Sequence, residues 1–420
     1  MKSLCLNDKN LNGMNRKIIT IFLAVILPYT STAQLLCPLG NGFNGGERLG
    51  ENSNTGTHAM HVEGDKLYVC TSQGLYAKDL ADDNSAWQLA GFNGIPLQDY
   101  VRRGSDILAL RYNKGGGFLL LSHDDGQTYE DVTPDILCHE KSAYLLSLVQ
   151  HPTEPNCLLT SSYYHGILRS TDFGQTWERL TDGVYGRHMG FHPARPSIIY
   201  NSGEGLIFDG HLILSYDDGK TWTHYSTWTF GDRWLGFSGD NHVYRLTFHP
   251  INPDRWIAGG AACVFLSDDN GCTWSCLDFH NDKSRTASWL FTVFDEEHPD
   301  TVYMAGYLSP NGRMGMNSRI SLMCSTNGGR SWYESQVTES KMEDEKLYDL
   351  LQYRDRLIVY TESGVYTVSK AELIAQSVSA IRSVTSDIVN AQSLFDLQGR
   401  RLSGKPAKGV YIENGRKVLK

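Results

Sequence analysis

Ser170-Thr171-Asp172-Phe173-Gly174-Gln175-Thr176-Trp177 decides the architecture, because the chain keeps returning to it. Ser215-Tyr216-Asp217-Asp218-Gly219-Lys220-Thr221-Trp222 and Ser267-Asp268-Asp269-Asn270-Gly271-Cys272-Thr273-Trp274 repeat the pattern Ser-x-Asp-x-Gly-x-Thr-Trp in full. Ser122 to Tyr129 ends in Tyr instead of Trp, and Ser325 to Trp332 carries Asn327 for Asp and Ser331 for Thr. Each constituent of this box has a scaffold task. Gly permits a positive φ in a tight turn. The carboxylate and hydroxyls satisfy loop amides, and the indole packs under the turn. The repeated residues Asp124, Asp172, Asp217 and Asp269, with Trp177, Trp222 and Trp274, are therefore read as structural.

The box serines stand 48, 45, 52 and 58 residues apart. A period near 50 with strand-like content means propeller blades of four strands. Each interval repeats one grammar: an apolar strand ending in His-Pro, two further strands, the box, and a last strand. The His-Pro pairs are His151-Pro152, His192-Pro193, His249-Pro250 and His298-Pro299. A degenerate blade ending near Trp87 precedes the five boxed ones, and three strands without a box follow them. The expectation is an all-β, seven-bladed propeller over 34–370, its last blade completed by a strand around Leu35 to Leu39.

The 420 residues carry a net charge of -9, which argues against nucleic-acid binding. Arg16-Lys17, the apolar run Ile18 to Leu27, and Ser31-Thr32-Ala33 read as a secretory signal peptide over 1–33, with Met14 an alternative start. The mature chain is expected to hold no transmembrane segment. Export permits disulfides, but Cys70, Cys157, Cys263 and Cys324 sit in strand-like apolar runs. Buried thiols and one or two bridges remain equal alternatives. Cys272 and Cys276 lack metal-spaced partners, so no metal or other cofactor is expected. Residues 371–392 read as a linker and 393–420 as a small β unit, with a hairpin turn at Asn414-Gly415.

Two resemblances add to this. Phe395-Asp396-Leu397-Gln398-Gly399-Arg400-Arg401, Lys408-Gly409-Val410-Tyr411-Ile412 and Asn414-Gly415-Arg416-Lys417-Val418 resemble the type A C-terminal sorting domain of the Bacteroidetes type IX secretion system. That implies secretion, or display at the outer-membrane cell surface, with residues 393–420 engaging the secretion machinery. The boxes resemble the Asp-box (bacterial neuraminidase repeat) superfamily, and within it the sortilin-like and xyloglucanase-like branches. Its members include enzymes and non-enzymes, so the resemblance implies a fold and leaves the function open. Sialidases of this kind carry an Arg-Ile-Pro near the start, which this sequence lacks, and xyloglucan-active members have two propellers and about twice this length.

Box turns and His-Pro turns share one face of such a propeller, so function is expected on the other, where the blades cross over. Loop lengths place insertions on blades four to six, around 204–211 and 309–319 and in the crossings after Trp222 and Trp274. Trp228, Arg233, Trp234, His280, Arg285 and Arg313 there, with Arg187 and His188 near the mouth, are candidate ligand contacts, since aromatic platforms flanked by charges suit sugars or a protein hot spot. The leading expectation is a secreted or surface propeller binding a glycan or host protein. The alternative is a carbohydrate-active hydrolase or lyase using Asp232, Asp282 and Glu204, with Asp209 a further carboxylate. A structural role in the cell envelope is the third.

Overall fold

In the computed structural model the residues described are 37–39, 59–111, 118–134, 145–162, 165–181, 188–204, 210–225, 243–260, 263–278, 286–309, 319–335, 345–375, 394–395, 410–413 and 416–419. The expected signal peptide over 1–33 and most of the expected linker and tail lie outside them. The chain forms a seven-bladed β-propeller, and every blade is a four-stranded antiparallel sheet. The first strands of the blades are Met60–Glu63, Leu97–Arg103, Leu145–Gln150, His188–Phe191, Val243–Phe248, Thr286–Phe294 and Leu347–Tyr353. These inner strands contact those of neighbouring blades and surround the axis. Cys37–Pro38 supplies the fourth strand of blade seven, pairing Cys37 with Thr367 and Pro38 with Tyr366. The short strand Leu394–Phe395 and the hairpin Val410–Glu413/Arg416–Leu419 form a separate three-stranded sheet.

The core lies between blades. Seven apolar clusters among the described residues fill the seven seams, each drawing on two adjacent blades. Alternation makes this possible: in the second strand of blade three, Leu158 joins the seam toward blade two and Leu159 the seam toward blade four. Burying apolar side chains on both faces of every sheet is what drives the ring to close.

The boxes are turns of the expected chemistry. At the reference box the Ser170 hydroxyl accepts from the Gly174 N–H (2.7 Å) and donates to Asp172 (2.8 Å). Asp172 also accepts from the N–H (2.9 Å) and hydroxyl (2.6 Å) of Thr176, and the Trp177 indole donates to the Gly174 carbonyl (3.0 Å). The same bonds hold Asp217 down to a pKa of about 2, the Thr221 hydroxyl being the largest cause. Gly174 has φ 89°, and a Cβ there would lie 2.6 Å from Leu108 in the preceding blade. Phe173 before it is also left-handed, at φ 60°, a demand the sequence pattern does not announce. Each full-box Trp packs into the seam shared with the preceding blade. Trp87 does this at the closing seam, donating to the Leu39 carbonyl at 2.9 Å.

The His-Pro turns need one correction. In blades three, four and five the residue closing the first strand is His151, His192 or His249, and its Nδ1 accepts from two backbone N–H groups, two and three residues on. In blade six that position is Asp295, not His298. Asp295 Oδ1 accepts from the N–H groups of Glu297 and His298, each at 2.9 Å, and the Asp295 N–H bonds to the Thr301 carbonyl as the histidines bond to theirs. The turn requires an acceptor at this place, and a carboxylate serves as well as an unprotonated imidazole nitrogen. The extra residues of blades four and six lengthen their second-to-third-strand hairpins, which reach Glu204↔Gly210 and Leu308↔Arg319.

Candidate functional site

Inner strands begin at the crossing face and end in the acceptor turns, so their first residues stand nearest the crossing-face mouth of the axial channel. Five inner strands carry a register shift in this part, at Leu97/Asp99, Leu145/Ser147, Val243/Leu246, Trp289/Phe291 and Leu347/Asp349. A bulge inserts a residue, bends the strand and re-aims side chains. In blades two, five and seven a charged residue stands at or within the shift: Asp99, Arg245 and Asp349.

These residues meet His61 of blade one. His61 Nε2 lies 2.8 Å from Asp99 Oδ1, the paired side chains being 40% and 20% exposed. Arg245 extends from blade five to Asp349 of blade seven (3.3 Å), with exposures of 45% and 5%. Asp349 is anchored on both oxygens, taking the Met60 N–H (3.0 Å) and the Leu350 N–H (2.8 Å). The His61 ring meets Tyr100 edge to face, with centroids 4.7 Å apart. The cluster thus joins blades one, two, five and seven while keeping Arg245 and His61 open to solvent.

Its electrostatics follow from that enclosure. Burial lowers the His61 pKa, but the hydrogen bond and charge of Asp99, with Asp349 beyond, outweigh it and raise the imidazole above its usual value against the opposition of Arg245. Burial raises the Asp349 pKa, and Arg245 with the two N–H donors only partly offsets this. Burial pushes up the Tyr200 hydroxyl, against the opposing charge of Arg245 nearby.

Of the residues singled out in the sequence, the structure describes two at this face. His188 opens the inner strand of blade four, half-buried, its ring edge-on to Tyr244 at 6.2 Å. Glu204 ends the second strand of the same blade, with its backbone paired to Gly210. Trp228, Asp232, Arg233, Trp234, His280, Asp282, Arg285, Arg313, Arg187 and Asp209 lie outside the described residues. The channel cluster was missed, although a signal existed. Leu97-Gln98-Asp99-Tyr100, Leu145-Leu146-Ser147-Leu148, Val243-Tyr244-Arg245-Leu246 and Leu347-Tyr348-Asp349-Leu350 all place a polar residue third in an apolar strand.

No protein-family model matches the chain. Over 202 residues it is 25% identical to a protein of Neosartorya fischeri named "Probable oligoxyloglucan-reducing end-specific xyloglucanase", which covers 45% of this chain and 23% of that one. The chain therefore spans under a quarter of that relative's length. Among solved structures, a GH74 xyloglucanase from Xanthomonas campestris matches with TM-score 0.53 at 14% identity, covering 80% of this chain and 53% of that one. YCF48 bound to D1 peptide matches with TM-score 0.51 at 14% identity, covering 76% and 93%. At such identities the structural likeness is one of fold, and it spans proteins with different tasks.

Proposed function

We propose that the chain is an extracellular carbohydrate-binding propeller that takes its ligand at the crossing face, over the mouth of the axial channel. The observation that carries this is the cluster of His61, Asp99, Arg245 and Asp349, with His61 and Arg245 solvent-exposed, on the face to which the hairpins of blades four and six extend. The glycan-acting relatives favour a saccharide over a host protein as ligand. Binding is preferred to catalysis because Asp349, the described carboxylate with the raised pKa, spends both oxygens on N–H donors and Arg245. A general acid needs a proton free to give. This reading calls for no metal or cofactor. The carboxylates Asp232, Asp282 and Glu204 would carry the enzymatic alternative.

A glycan array followed by turnover assays on the bound glycans, with the full chain and Asp232→Asn/Asp282→Asn, tests both. Saccharide binding without turnover is the expected result. No bound glycan overturns the proposal, and turnover lost in the double variant installs the enzyme. Residues 393–420 are proposed to direct export through the type IX machinery. Their deletion should strand the protein in the periplasm, and unchanged surface display refutes that role.

A further inference from the structure

The channel cluster has unspent hydrogen-bonding capacity of a specific kind. A guanidinium offers five donors in a planar fork. Arg245 turns one N–H to Asp349 over a long 3.3 Å contact, while nearly half its side chain meets solvent. Asp99 Oδ1 is occupied by His61 and the Tyr100 N–H, both at 2.8 Å, whereas Oδ2 has no hydrogen bond among the described residues. A donor fork and a carboxylate oxygen thus serve one bore. Adjacent hydroxyls on a sugar ring fit such a pair, since each can accept from the guanidinium and donate to the carboxylate.

Charge narrows the ligand class. Asp99 and Asp349 face Arg245 and His61, so among the described residues this cluster sets two acids against two bases. An anionic sugar would meet both carboxylates, and an amino sugar would meet the guanidinium and imidazole; a neutral polyol meets neither penalty. Geometry narrows the mode of entry. Inner strands of seven blades ring the axis, and a saccharide entering along it, end first, meets the cluster with its terminal unit. His188 and Tyr244, at the starts of adjacent inner strands, present rings near that entrance.

We propose that His61, Asp99, Arg245 and Asp349 form a subsite that receives the terminal unit of a neutral saccharide end first, Arg245 and Asp99 holding adjacent hydroxyls and Asp349 positioning Arg245. This rests on the carbohydrate-binding reading above and specifies its ligand. Calorimetric titration of the full chain with xyloglucan heptasaccharide, cellotetraose and mannotetraose, and with tetragalacturonate as the acidic probe, tests it. The expected result is binding of a neutral probe, weakened at least tenfold in Arg245→Gln and in Asp99→Asn but not in Arg330→Gln on the box face. Arg245→Lys keeps the charge beside Asp349, and thermal unfolding establishes that each variant is folded; it should lose affinity with the fold intact, because the fork is gone.

Unchanged affinity in folded Arg245→Lys and Asp99→Asn overturns the subsite and leaves the carbohydrate reading standing. Tighter binding of tetragalacturonate overturns the neutral class. Failure of every array glycan and every probe to bind removes both readings together. In competition, sonicated polysaccharide should act in proportion to its chain ends, and competition in proportion to mass refutes end-first entry.

Discussion

Asp295 gives the sharpest test of the turn chemistry, because blades three to five show what can replace it. Its side chain is 3% exposed and forms an ion pair at 3.2 Å with Lys370, itself 9% exposed. It also takes the N–H groups of Glu297 and His298 and the Tyr303 hydroxyl at 3.0 Å, and Lys370 has Gln352 as its other partner at 3.0 Å. Asp295→Ala leaves a buried ammonium without its counter-charge, which costs about 3–5 kcal/mol. Asp295→His restores the imidazole acceptor of the other blades but does not neutralise Lys370. Asp295→His with Lys370→Met removes both charges and keeps the acceptor, so its stability should return to within about 1 kcal/mol of the parent.

Urea unfolding followed by tryptophan fluorescence, with nine Trp as reporters, reads these differences. The parent should also keep this stability down to about pH 4, whereas the double variant, whose imidazole must stay neutral to accept, should begin to lose it below about pH 6.5. Burial raises the Asp295 pKa, but the His298 N–H and Lys370 outweigh it and hold the pKa below its usual value. The unfolded chain therefore binds the proton first, and stability present above about pH 4 is lost as pH falls through the folded pKa. A double variant as unstable as Asp295→Ala would refute the equivalence of the two acceptors.

His192 and His249 are held neutral by burial, so their pKa values lie below the usual range. Their stabilisation should be complete above about pH 6.5 and fall as the unfolded chain protonates beneath it. His192→Asn keeps an acceptor for the two N–H groups and should flatten the decline in Tm between pH 7.5 and 5.5; an unchanged slope counts against this. Asn201 is 1% exposed, and neither amide atom has a hydrogen-bond partner among the described residues. Asn201→Leu should stabilise the fold by about 1–2 kcal/mol in urea unfolding, the penalty of unmet buried polar atoms being removed. Destabilisation would show instead that a buried water completes the site.

The box was legible because its chemistry is local: eight consecutive residues supply the turn, its acceptors and its cap, so the letters themselves recur. Blade number and ring closure followed from that spacing. Asp295 was displaced by three residues because His298-Pro299 imitates the motif in letters, while the turn is defined by which side chain accepts two N–H groups. The channel cluster was less legible for a different reason. His61 and Asp99 are 38 positions apart and Arg245 and Asp349 are 104 apart, so neither pair is a motif. The bulges of three separate strands, with His61 from a fourth, bring them to one bore. Aligning the inner strands, rather than the boxes, would have exposed the recurrent polar third position.

The two-residue strand Cys37–Pro38 makes the ring a clasp whose halves are 330 positions apart, Cys37 fastening to Thr367. A chain that stops before blade seven has nothing to fasten to. It leaves the strand Cys37–Pro38 unpaired and the apolar faces of blades one and six uncovered, a state prone to association with other chains. Closure therefore ties the two ends of the propeller to each other, since blade seven and the strand Cys37–Pro38 must both be present before either is protected. The entropy of so long a loop grows only as its logarithm, so this closure costs little in stability, and its burden falls on the time the chain spends incomplete.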